Sequence, residues 1–128
     1  MKIGLCISGY FRNKTNDNLL ETNYIYDNII NRINNESSLD IFIHSFDTKS
    51  ENDIKQKYPK CKKCIIEPQI NFRNKLTANN LIFEKTLDKN IFPYPITLDS
   101  IFSFMYSRKQ SIMMALEDET KYDLIIWC

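Results

Sequence analysis

The stretch KIGLCISG, Lys2 to Gly9, is an apolar run that breaks at Ser8-Gly9, with Arg12 three residues further on. It is too short for a helix and is closed by a glycine, so Lys2–Ile7 reads as a buried strand. Similar runs recur along the chain. Leu39–Ile43 leads into His44-Ser45-Phe46-Asp47, Cys61–Glu67 is centred on Cys64, Ile65 and Ile66 and stops at Pro68, and Tyr122–Trp127 comes last. These runs are apolar on both faces, which is the habit of parallel strands covered above and below.

Helical spacing fills the intervals. Leu19, Tyr26, Ile30 and Ile33 predict a helix over Asn16–Asn34, with Asn16 or Asp17 as its cap. Ser50-Glu51-Asn52-Asp53 has the form of a capping box and predicts a short helix ending at Tyr58-Pro59. Lys75–Leu87 is a weaker helix carrying Leu76, Leu81 and Ile82, and Phe92-Pro93-Tyr94-Pro95 must be extended. The clearest helix runs from Asp99, as cap, to about Asp118. Its expected inner face is Phe102, Met105, Ile112, Met113 and Leu116, and it should stop near Glu117, where acidic residues oppose the helix dipole. Strand and helix alternate. The expected fold is therefore α/β, a Rossmann-like three-layer sandwich whose mostly parallel sheet has about four strands and is incomplete at its C-terminal edge.

Composition narrows the function classes. The 128 residues fit a single domain, 1–128, and 43% hydrophobic content supplies a core. A net charge of +1 gives no single-sign field for nucleic acid or an anionic membrane. Lys60, Lys62 and Lys63 form the one short basic cluster, read as a solvated turn. No run approaches the roughly 20 apolar residues of a transmembrane span, and the N-terminal run is too short for a signal peptide. The expected location is cytoplasmic.

Four cysteines are present. Cys6 and Cys128 lie in apolar runs, where a thiol acts as a small hydrophobe. Cys61 and Cys64 form a lone CxxC at the head of a strand, without a second pair and with one distant histidine. Zinc or redox chemistry is thus the lesser reading for them.

Ligands of open α/β sheets bind at the carboxyl ends of the strands. That rule selects Ser8, Gly9 and Arg12 after strand one, His44 and Asp47 after strand two, and Glu67, Pro68 and Gln69 after strand three. Ser8-Gly9 offers a hydroxyl and an unhindered amide, and Arg12 a planar fork suited to diphosphate. The pattern is neither GxGxxG nor a Walker loop. His44 is the only histidine, which excludes a histidine-rich metal centre. No nucleophile elbow supports a serine–histidine–aspartate triad. Tyr106, Ser107 and Lys109 stand on the late helix.

The order of "ISGYFR", "DIFIHSFD", "EPQ", "FMYSRKQS" and "KYDLIIW" resembles the N-terminal half of a group of bacterial and viral glycosyltransferases with the GT-A nucleotide-sugar-binding fold. The resemblance spans nearly the whole chain, through short pieces whose order carries the weight. It implies a sugar transferred from a nucleotide-diphosphate donor to a glycan acceptor. It implies that Ser8, Gly9 and Arg12 line the diphosphate side, with His44 and Asp47 beside them. Tyr106, Ser107 and Lys109 would face the donor. In intact relatives a magnesium or manganese ion is expected, held by carboxylates that follow the strand matching Leu124–Trp127. Here the chain stops at Trp127-Cys128, and Asp123 precedes the strand, so no metal site is complete. The expectation is a domain cut short, catalysing poorly or not at all. The alternative is a non-catalytic Rossmann-like module that pairs with a partner chain, or with itself, through its last strand.

Overall fold

A computed structural model describes residues 1–9, 11, 26–34, 38–87 and 97–128, with 26, 27 and 34 described by backbone alone. Among these residues four strands form: β1 (Lys2–Ser8), β2 (Ser38–Ser45), β3 (Cys61–Ile66) and β4 (Leu124–Trp127). They make one sheet in the order β3-β2-β1-β4. Every pairing is parallel, and the central one runs from Lys2 opposite Ser38 to Ser8 opposite His44. This is the expected Rossmann-like α/β sandwich.

The two-residue period of a strand sorts its side chains into two cores. Ile3, Leu5 and Ile7 of β1 join Leu39, Ile41 and Ile43 of β2 on one face. Over them lie Ile30 and Ile33, from a π-helical turn (Tyr26–Ile30) that runs into α1 (Asn31–Asn34). Ile54 of α2 (Glu51–Lys57) and Tyr58 complete this layer. Cys6 and Phe42 point the other way, against Met114 and Ala115 of the long helix α4 (Leu98–Leu116). Burying each large aliphatic side chain here contributes about 1.5–3 kcal/mol. The sheet is thus covered above and below. The first half of the expected Asn16–Asn34 helix, with Leu19 and its caps Asn16 and Asp17, lies outside the described residues, as does Phe92–Pro95.

The helix ends correct several expectations. Ser50 does not cap α2; its hydroxyl donates to Asp47 Oδ2 at 2.6 Å. A helix α3 spans Ala78–Thr86, later than expected, because Thr77 and Asn80 exchange the reciprocal bonds of a capping box. Thr97 and Ser100 cap α4 in the same way, and Asp99 instead meets Arg73 at 3.4 Å. The helix does stop before its acidic trio, at Leu116.

The inner face of α4 is only partly the expected one, with Ile112 packed against the core cluster. Phe102, Met105 and Leu116 are exposed, Met105 at 60%. The stripe facing the sheet is Ser107, Ser111, Met114 and Ala115. Small side chains let the helix approach β1 and β2 closely, and bulkier ones are left outside.

At the N-terminal end of the sheet a charged network ties strands to helix. Lys62 Nζ bonds Asp118 Oδ1 at 2.7 Å, Thr120 Oγ1 at 2.8 Å and Asp40 Oδ2 at 3.2 Å. Tyr122 Oη donates to Asp40 Oδ2 at 2.6 Å. Lys62 holds the Asp118 carboxyl well below the usual range, and Asp118 in turn raises the lysine. Burial, and then the bond to Asp40, pushes the Tyr122 phenol up to about 12. Lys62 is therefore a structural cation, not part of a solvated turn. Asp123 sits at this same end, with its Oδ2 accepting from the Lys2 backbone at 2.7 Å. Among the described residues, no helix is long and apolar enough to cross a membrane.

Candidate functional site

At the opposite end of the sheet the strands finish in polar groups that bond one another. Gly9 has φ of 125°, a backbone region that L side chains rarely adopt, and a Cβ placed there would find nothing within 4 Å. Glycine is thus required by conformation and not by crowding, and space stays open beside β1. The Gly9 amide donates to the His44 carbonyl at 3.2 Å, and the Ser45 hydroxyl donates to the Gly9 carbonyl at 2.6 Å. These bonds fix the ends of β1 and β2 together.

His44 follows Asp40 and Phe42 on the α4 side of β2 and is fully buried, at 0% exposure. Its Nδ1 lies 2.7 Å from Ser107 Oγ and its Nε2 2.8 Å from Glu67 Oε1. A carboxylate only accepts, so with Glu67 ionised Nε2 carries a proton. In the neutral ring Nδ1 is then left to accept from the serine hydroxyl. The result is a relay, Ser107–His44–Glu67, from a buried helix position to a carboxylate that is 32% exposed. Tyr106 packs edge-on against His44 and stacks with Phe46. Burial, and then a hydrogen bond to Glu67, raises its phenol above the ordinary value.

Beside the relay lies a cavity of about 770 Å³. Ser8, Gly9 and Ser107 line it, together with Phe46, Gln69, Phe72, Asp99 and Ser103. Gln69 Nε2 donates to Ser103 Oγ at 2.7 Å, joining the β3 end to α4. Among the described lining residues Asp99 alone is charged. Hydroxyls and amides alternating with aromatic faces suit sugar hydroxyls and a stacked ring.

The sequence-selected residues therefore separate. Ser8, Gly9 and Ser107 reach the cavity, and His44 lies directly behind Ser107. Tyr106 buttresses His44 and Glu67. Asp47 is buried and holds Ser50. Lys109 lines a separate groove of about 270 Å³ with Met105, Arg108 and Ile112. Arg12 lies outside the described residues. Of the residues selected after β3, Glu67 joins the relay and Gln69 lines the cavity, whereas Ser103 was not among the expected residues. Glu67 occupies a strand end, and Ser103, Ser107 and Ser111 recur every fourth position on α4, a serine stripe that marks both the seam and the cavity wall.

Among the described residues no three His, Cys, Asp or Glu side chains gather as a metal-binding group. The described residues therefore offer no such group to the magnesium or manganese ion that the resemblance implies. No protein family, curated protein or solved structure matches the chain.

Proposed function

We propose that the cavity at the carboxyl ends of β1–β3 takes a nucleotide-diphosphate sugar, and that the protein is a glycosyltransferase. The observation that carries this reading is the cavity itself. Its place at the strand ends, its hydroxyl and amide lining and its aromatic faces match what a nucleoside and a sugar need. The order of motifs shared with GT-A glycosyltransferases supports the same reading. Arg12, three residues after Gly9 in sequence, is the cation that the reading assigns to the diphosphate.

The relay then has a task. An acceptor hydroxyl at Ser107 Oγ attacks the anomeric carbon, a new C–O bond forms, and the C–O bond to the diphosphate breaks with its electron pair leaving on the nucleotide. The acceptor proton passes to Ser107 as the serine proton moves to His44 Nδ1. Glu67 stabilises the resulting imidazolium.

Calorimetric titration with uridine and guanosine diphosphates tests the binding step. One of them is expected to bind, and Arg12→Ala to weaken it roughly ten- to hundredfold, as loss of a charge-assisted contact does. Absence of heat at millimolar nucleotide overturns the reading. A second reading, a non-catalytic interaction module, draws on the exposed Phe104, Met105, Leu124 and Trp127. It gains if the same samples elute as a dimer and bind neither nucleotide.

A further inference from the structure

Cys61 and Cys64 take no part in the cavity, and their placement is unusual for one strand. Residues three apart on a regular strand point to opposite faces. Here the register slips: Cys61 pairs with Ile41 but Lys63 with Phe42, so Lys62 is a bulge residue. The bulge returns Cys64 to the face that Cys61 occupies, and both sulfurs pack at the margin of the same core cluster. Both are partly exposed free thiols, and among the described strands β3 is at the edge and bonded to β2 alone.

We infer that Cys61 and Cys64 form a reversible dithiol–disulfide pair, with Cys64 as the attacking thiol and Cys61 as the resolving one, oxidised by a small disulfide such as glutathione disulfide. The neighbours assign the roles. The Cys61 thiol hydrogen-bonds to Cys64, and this bond, helped by Lys55, outweighs burial and the Glu51 carboxylate paired to that lysine, so Cys64 is held below its ordinary value while Cys61 is raised. Cys61 Sγ also lies 3.1 Å from the Lys63 carbonyl, a second acceptor that competes for the same proton. The Cys64 thiolate attacks one glutathione sulfur, and glutathione thiolate leaves with the electron pair. Cys61 then gives up its proton and attacks the Cys64 sulfur of the mixed disulfide, releasing the second glutathione. Two protein thiols are oxidised, one glutathione disulfide is reduced to two glutathiones, and the two thiol protons end on them. Drawing the sulfurs to bonding distance moves the backbone, and an edge strand can yield on its unpaired side. Cys6 is an internal control, since it is fully buried in the central strand.

The test is oxidation of the native chain by glutathione disulfide, followed by intact mass and peptide mapping. Wild type is expected to lose the mass of two hydrogens, with the bond mapped to Cys61–Cys64 and reversed by dithiothreitol. Cys61→Ser should stall as a single glutathione adduct on Cys64. Cys64→Ser should react at least tenfold more slowly at residue 61. Wild type that stays fully reduced, that halts as a stable mixed disulfide, or that reacts first at Cys6 or Cys128 overturns the inference. The wild-type mapping decides it even if a serine variant fails to fold.

Discussion

Asp40 and His44 stand on the same face of the same strand, with Phe42 between them, yet the polar clusters they anchor differ in kind. At the Asp40 end the central charge is saturated: Lys62 bonds two carboxylates and two hydroxyls. At the His44 end the relay is one hydrogen bond wide, and its serine faces about 770 Å³ of open space. Phe42 is fully buried against Tyr122, Met114 and Ala115, and it insulates one cluster from the other. A saturated network can hold a fold together. A chain of groups that ends at a cavity can also act on what enters it.

The sharpest way to break this contrast is Glu67→Gln. The amide keeps the size of the side chain but cannot stabilise an imidazolium. Turnover of the nucleotide sugar should fall by ~10²–10⁴, the usual worth of general-base catalysis, with nucleotide affinity by calorimetry within a few-fold of wild type. Equal losses in affinity and turnover would reduce the relay to a structural seam. The next effect is on stability. Gly9→Ala forces an L side chain to a φ of 125° and should cost about 1–3 kcal/mol in urea unfolding, although the added methyl meets no neighbour. An unchanged midpoint would mean that the turn relaxes freely and is no rigid wall.

The smallest effect, and the most diagnostic of the other end, is in the pH profile of Lys62→Met. The Asp118 pKa is depressed in the fold, so its contribution is present above about pH 4 and is lost as pH falls through the lower folded value. Lys62 and Tyr122 are raised, so their contributions are present below about pH 10 and are lost as pH rises through the folded values. Melting temperature in wild type should sag on both flanks of that window. Lys62→Met should melt lower at neutral pH with a flatter acid flank, and identical acid flanks in the two proteins would count against the network.

Much of the fold was legible because it is written in local runs. Apolar stretches at Lys2, Leu39, Cys61 and Tyr122 became the four strands, and β1 and β2 are buried on both faces, as the central strands of a parallel sheet are. Helix α4 shows where such reading stops. Counting large apolar residues put Phe102, Met105 and Leu116 inside, but the sheet demanded small residues and a hydroxyl partner for His44, so Ser107 and Ser111 face inward. The site was half legible for the same reason. Strand ends place Gly9, His44 and Glu67 by position alone, whereas the bonds joining His44 to Glu67 and to Ser107 span 23 and 63 residues. No local pattern encodes which polar group a buried imidazole will find.

The bulge at Lys62 has one more effect. An unpaired strand edge is a template on which another chain can add, and bulges and lysines are what discourage it. β3 carries both, with Lys62 and Lys63 following Cys61. β4, at the far side of the sheet, pairs regularly with β1 and leaves Leu124 and Trp127 exposed. Among the described residues the sheet is thus blunted at its β3 border, whereas the β4 border carries neither a bulge nor a lysine.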